Sequence, residues 1–357
     1  DMILAGEGMV GNDVTLNIVR GGLEFQDDGT RADLPSGLDS GAIVNIGTDA
    51  SSTYARVLLL GGFDGTGGIT DGTFNLGTHA NERRIVARAD SGATNAVGAL
   101  VNVIDTGVGT AVLRGEQQTT AGGLVEFSAV NIEAGAAATL ESDGNASLNI
   151  LDLHVEGSLD LGGMTLSLNN LSGSGALTNG TVNVLALAPG SSAGTLTADN
   201  LTMVAGSDYN FEFTSLGADS VDLTGALAAG GAWTLNDYNV GGIGGTEDGA
   251  VLFSYGSTPL PDGPIPGATL NFVDSPASWD GWSIGTAEII NDSANNRVIL
   301  SGLTSPEFIS NTAIGNYDVA GTWVTSSGLT APNMSSVVSI ENGDTVTVAS
   351  ASNAYRV

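Results

Sequence analysis

The chain has 357 residues, 53 of them glycine, and a formal net charge of −30 from 39 acidic and 9 basic residues, with no cysteine. Every basic residue is arginine. Without clustered Lys and Arg the chain lacks the means to bind a phosphate backbone, without Lys it has no Walker-type phosphate loop, and without Cys it has neither disulfides nor thiolate metal sites. Disorder is excluded as well, because the 41% hydrophobic content falls in short alternating runs that can bury apolar surface regularly.

The first residues run from Asp1 without an initiator Met or a signal peptide, so the chain reads as a mature, processed or excised piece. Val14-Thr15-Leu16-Asn17-Ile18 is the first clear strand pattern. A loop follows in which Asp27, Asp28 and Asp33 gather hard oxygens suited to calcium. No apolar run approaches the ~18 residues that a membrane span needs, the longest being stretches such as Val57-Leu58-Leu59-Leu60.

From residue 122 to 203 the pattern is apolar-x-apolar followed by a small or Gly corner, as in Leu151-x-Leu153, Leu159-x-Leu161, Leu166-x-Leu168 and Val182-x-Val184. Such short units suit a coil of three strands, with Leu151, Leu153, Leu159, Leu161, Leu166 and Leu168 inward and Asn, Ser and Thr outward. The pairs Asp28-Gly29, Asp64-Gly65, Asn179-Gly180 and Asp248-Gly249 are hairpin signals that keep a β-sandwich as the rival architecture. No stretch has the period and caps of a helix.

Between residues 207 and 303 aromatics appear at Tyr209, Phe211, Phe213, Trp233, Tyr238, Phe253 and Tyr255, with a proline-rich break from Pro259 to Pro266. Wide aromatics need a wider core than a narrow coil, which predicts a partly antiparallel closing module. Glu247 and Asp248 form a second calcium candidate within it. The expectation is therefore an all-β chain: a right-handed parallel β-solenoid over 1–206, a β-rich closing module over 207–303, and the start of a further solenoid or assembly unit over 304–357.

Two stretches carry a family resemblance. Leu185-Ala186-Leu187-Ala188-Pro189-Gly190-Ser191-Ser192-Ala193-Gly194-Thr195-Leu196-Thr197 and the segment from Trp323 to Val348, with Val338-x-Ile340-x-Asn342-Gly343-Asp344-x-Val346-x-Val348, resemble the autotransporter-associated β-strand repeat proteins. The matches cover about a third of the chain. The resemblance implies a secreted β-solenoid of an extracellular matrix, stalk or surface fibre, and it brings no catalytic residues.

Sites for chemistry are sparse. The two histidines, His79 and His154, lie far apart, each in an ordinary strand or turn context. Gly190-Ser191-Ser192-Ala193-Gly194 has the letters of a nucleophile elbow but no helix pattern after it, so it reads as a solenoid corner. Trp279, Asp280, Trp282 and Glu288 are the one group that resembles a glycosidase-like pairing of acids with aromatic platforms, and aromatic packing accounts for it more simply. Asn-x-Ser/Thr sequons at Asn145, Asn170, Asn179, Asn200, Asn291 and Asn333 are as many as this composition produces by chance.

The sequence thus reads as a non-enzymatic structural subunit or repeat of an extracellular bacterial fibre, with further copies of itself as head-to-tail partners. Cell-surface polysaccharide or cations are the other partners considered, and calcium the one cofactor. The alternatives are an adhesin or glycan-binding surface module and a polysaccharide-active β-helix enzyme.

Overall fold

The computed structural model describes residues 2–5, 14–26, 41–48, 55–60, 72–78, 83–89, 92, 94–107, 109–117, 121–190, 193–214, 217–239, 248–273 and 287–303. It also describes the strands Glu307–Ser310, Ile314–Asn316, Trp323–Thr325, Val337–Ser339 and Thr345–Thr347. Among these residues the chain is strand throughout, apart from turns and one 3-10 turn at Ser293–Asn295, and no helix is long and apolar enough to cross a membrane. The strands pair in parallel between successive coils, and the result is a parallel β-solenoid.

The described strands fall on three faces, the third of them from residue 94 onward. The first runs through Thr15–Ile18, Ile43–Ile46 and Thr73–Gly77, then the later halves of Thr94–Ile104, Leu124–Ile132, Ser147–Val155 and Thr165–Gly173. It continues through residues 186–189 and 208–213 to Trp233–Asn239 and Ala268–Phe272. The second face starts at Met2–Ala5 and Gly21–Gln26, and passes through Ala55–Leu60, Arg83–Ala89, Ala111–Gln117, Ala137–Ser142 and Ser158–Asp160. Residues 176–178 and 195–198 carry it to Ser220–Leu223 and Val251–Ser254. The third face is built from the earlier halves of the long strands, residues 124–127 against 94–97 and 147–150, and 165–168, 181–184 and 200–203 up to Leu227–Ala229.

Alternation of apolar and polar residues decides which side faces in. Leu153, Leu159, Leu161, Leu166 and Leu168 are buried as expected, whereas Leu151 is only half-buried. The reason is a corner inside strand Ser147–Val155: Leu148 and Ile150 point inward before it and Leu153 and Val155 after it, so Leu151 and Asp152 straddle the bend. The same break leaves Leu185 44% exposed between buried Val184 and Leu187.

Coils change length along the axis. Stacked partners are 28 and 30 residues apart at Asn17, Asn45 and Asn75, 18 apart at His154 and Ser172, and 35 apart at Asn236 and Asn271. The short coils close through glycine. A Cβ on Gly157 would strike the Ala136 carbonyl, and one on Gly175 would strike the Gly157 carbonyl, so the two corners stack backbone on backbone. The long coils are filled by aromatics: Tyr209 lies 5.1 Å from Phe253 and 6.0 Å from Phe211, and Trp233 lies edge-on to Phe253 at 6.2 Å.

Residue 206 is not a break in the ladder. Strand Thr195–Thr214 runs through it, and its residues 207–213 pair in parallel with Trp233–Asn239, which pairs with Ala268–Phe272. Among the described residues of 207–303 the antiparallel pairs are Phe213 and Thr214 with Ala218 and Gly217, and those of Gly263–Pro264, Glu288–Asp292 and Arg297–Ser301, the last lying against Val251–Ser254 and closing the second face; farther on, Glu307–Ser310 pairs antiparallel with Trp323–Thr325. Beyond residue 303, Glu307–Ser310 pairs in parallel with Val337–Ser339, and Ile314–Asn316 with Thr345–Thr347, at a coil spacing close to that of the first coils.

The corner makes a direct test. Leu153→Ala should lose about 2–5 kcal/mol of stability in chemical denaturation, as buried leucine truncations do. Leu151→Ala, two residues away, should lose about 1 kcal/mol or less.

Candidate functional site

The outward side of the first face carries a column of asparagines. Asn17, Asn45, Asn75, Asn102 and Asn131 occupy equivalent positions in five successive coils. Each amide Nδ2 donates to the Oδ1 of the coil before it, at 2.7, 2.8, 3.0 and 3.3 Å. Asparagine is a poor strand residue taken singly, but in an in-register stack its side chain adds a second hydrogen-bonded ladder beside the backbone one. The same position holds Asn210, Asn236 and Asn271 in the aromatic coils, with bonds of 3.1 and 2.9 Å in the same direction.

The column is interrupted where the coils are shortest. Register puts His154 over Asn131 and Ser172 over His154. The His154 ring meets Ser172 Oγ at 2.9 Å through Nδ1 and Glu156 Oε1 at 3.4 Å through Nε2, while Ser174 Oγ donates to Glu156 Oε2 at 2.5 Å. A hydroxyl, an imidazole and a carboxylate in sequence are the ingredients of an acyl-transfer triad. Such a triad also needs N–H donors aimed at a developing oxyanion. Here the hydroxyl stands on a flat outer sheet whose strands, Ser147–Val155 and Thr165–Gly173, pair with each other and with the next coil, so their N–H groups serve the ladder. The cluster occupies the outward column between Asn131 and Asn210, with Ala188 between Ser172 and Asn210.

Two other polar groups stand out. On the second face Arg114 bridges Glu116 and Glu141 at 2.8 and 3.1 Å, and Arg88 meets Glu116 at 3.0 Å, which ties three coils together. Arg83 is buried, its Nε donating to the Gly47 carbonyl at 3.4 Å; Gly47, at φ +59°, leaves the space that the guanidinium group fills.

Asp219 is the buried acid of the aromatic coils. Its carboxylate accepts from the backbone N–H groups of Gly194 and Glu212, both at 2.9 Å, and so holds the hairpin of residues 213–218 against the preceding corner. Burial, opposed by those two hydrogen bonds and assisted by the nearby Glu212 charge, pushes its pKa from 3.8 to about 7. Burial and the Asp219 charge also push the Tyr209 hydroxyl well above its ordinary range.

Of the residues expected to bind calcium, one lies among the described residues. Asp27, Asp28, Asp33 and Glu247 lie outside them; Asp248 is exposed and accepts from the Leu303 backbone N–H at 3.1 Å. No group of three or more His, Asp or Glu poised to hold a metal occurs among the described residues. His79, Trp279, Asp280 and Trp282 also lie outside, and Glu288 is exposed at the start of its strand. Of the sequons, Asn145, Asn170 and Asn179 carry exposed hydrogen bonds. Asn291 is buried, with its amide given to the Leu260 and Pro261 carbonyls. No family model, curated protein or solved structure matches this chain.

Asp219 sets a pH dependence of stability. Its folded pKa is raised, so its contribution is fully present below about pH 4, declines as the pH rises, and is lost above about pH 7. Stability of the wild type minus that of Asp219→Asn should therefore fall between pH 5 and pH 8 in parallel denaturation series. A difference that stays flat across that window would show that the carboxylate titrates elsewhere.

Proposed function

We propose that this chain is a structural element of an extracellular bacterial fibre, matrix or surface filament, assembling head-to-tail and performing no catalysis. The observation that carries the reading is the unbroken parallel ladder of the first face, from Thr15–Ile18 to Ala268–Phe272, reinforced by side-chain ladders of one polarity. A ladder of this kind gives a rod whose strength lies along one axis, and a charge of −30 keeps such rods from clumping sideways. The resemblance of the two quoted stretches to autotransporter-associated β-strand repeat proteins points the same way.

The head-to-tail contact joins two matching edges. Thr15-Leu16-Asn17-Ile18 and Thr269-Leu270-Asn271-Phe272 share the order Thr, Leu, Asn, apolar, and among the described strands Thr15–Ile18 pairs with Ile43–Ile46 and Ala268–Phe272 with Trp233–Asn239. Asn17 keeps an amide N–H, and Asn271 a carbonyl oxygen, at opposite ends of the ladder. Docking the first strand of one copy on the last of another repeats the pairing already made between Thr234–Asp237 and Thr269–Phe272. On the second face Met2–Ala5 of one copy would meet the closing hairpin Glu288–Ser301 of the other, so this contact requires Met2–Ala5 to leave its place beside Gly21–Gln26.

Electron microscopy of the purified chain, together with sedimentation over a range of concentrations, tests the reading. Filaments with an axial repeat of one chain are expected, and Leu270→Pro, which removes an N–H and sets a ring at the joining edge, should shorten or abolish them. Monodisperse single chains at every concentration would overturn it.

A further inference from the structure

The outward surface of the first face is neutral over its first five coils, in a chain that carries a charge of −30. Its outward positions are Thr15 and Asn17, Ile43 and Asn45, Thr73 and Asn75, Leu100 and Asn102, and Ala129 and Asn131. None of these ten is charged. Charged groups stand at the strip's edge, at Arg20, Asp105 and Glu133, and Asp152 enters in the next coil. Beyond the shortest coils the same columns carry Asp208 and Glu212, so neutrality belongs to this part of the face and not to the face as a whole.

The strip presents amides and apolar groups side by side. Leu100 is 38% exposed and Val14 39%, while the amides of Asn45, Asn75 and Asn102 lie half-buried in their ladder. Within the ladder each middle amide gives one N–H to its neighbour and accepts one bond on its oxygen. Each therefore retains one N–H and one oxygen lone pair for a ligand. These free groups recur with the strand spacing of about 4.8 Å, a row of donors and acceptors that repeats along the axis. Over Asn17, Asn45, Val19 and Thr48 the surface dips into a shallow hollow of about 260 Å³. This is below the ~300–1,000 Å³ of a small-molecule pocket, and it favours a ligand that lies along the surface over one that is engulfed.

We infer that this strip binds a neutral, hydroxyl-rich linear polysaccharide lying along the solenoid axis. The amide row donates to and accepts from hydroxyl groups at successive rungs, and the Thr, Ile and Leu column beside it packs under the C–H faces of the sugar rings. Charge argues for the same partner, because the strip offers no counter-charge to a cationic or an anionic polymer. A second copy of the chain fits less well: the strip measures about 20 Å by 13 Å from strand geometry, or roughly 250 Å² against the ~800 Å² per partner of a stable interface. The inference rests on the surface alone and stands or falls apart from filament assembly.

The test is retention on microcrystalline cellulose and gel retardation in soluble mixed-linkage β-glucan, with polygalacturonate as the anionic control. The wild type should bind at least one neutral polymer and not the polygalacturonate. Thr73→Asp places a charge beside the amide row without touching any ladder bond and should weaken binding about tenfold or more. Thr234→Asp, on the same face past the shortest coils, should leave it unchanged. Should Thr73→Asp fail to fold, Leu100→Asp at its exposed position serves the same purpose. Failure of the wild type to bind either neutral polymer overturns the inference, as does binding that both strip variants retain. Concentration-dependent pairing of chains that Thr73→Asp abolishes also overturns it, since a second copy then occupies the strip. Filaments without glycan binding sink this inference alone, and glycan binding by chains that never form filaments sinks the proposed assembly alone.

Discussion

In a parallel solenoid every backbone N–H and C=O on a face must find its partner in the coil before or the coil after, so the register between coils is the constraint on which everything else depends. A slip of one residue would turn Val44, Ile46, Phe74 and Leu76 outward and Asn45 and Asn75 inward. Once register is held, whatever stands at an outward position is repeated above and below itself. The asparagine column is the direct result. It also protects the register that creates it, since a slipped strand would set an amide against Thr or an apolar residue and leave its bonds unmade.

Much of this architecture is legible in the residues. Apolar-x-apolar units with glycine corners predict the coils and the inward Leu153, Leu159, Leu166 and Leu168. The misplacement of Leu151 is instructive: alternation holds within a face and fails at a corner, and nothing in Leu148-Asn149-Ile150-Leu151-Asp152-Leu153 marks which residue turns. The boundary expected at residue 206 came from the arrival of aromatics. Tyr209 and Phe211 do enlarge the core, but they do so by lengthening the coil within the same ladder.

The amide column and the buried Asp219 were harder to see, for different reasons. The asparagines recur at intervals of 28, 30, 27 and 29 residues, a period too irregular for a repeat search and too long for a local motif. Each lies between two inward apolar residues, as in Val44-Asn45-Ile46 and Val101-Asn102-Val103, and that local triplet is the signal a reader could have followed. Asp219 opens Asp219-Ser220-Val221-Asp222-Leu223, which reads as a strand in which nothing sets Asp219 apart from Asp222. Its burial depends on the Gly194 corner of the previous coil, 25 residues earlier, and no local pattern reports that.

The change in coil length has a mechanical meaning. From His154 to Ser172 the coil shrinks to 18 residues and from Ser172 to Ala188 to 16, while the coils of the two amide columns are longer. The resistance of a rod to bending rises as a steep power of its width, so a rod of uneven girth yields first at its narrowest section. The Ser172 end of the histidine rung therefore borders the section where lateral load concentrates. There the stacked glycine corners bring backbone directly against backbone, with no side chain between them to be compressed.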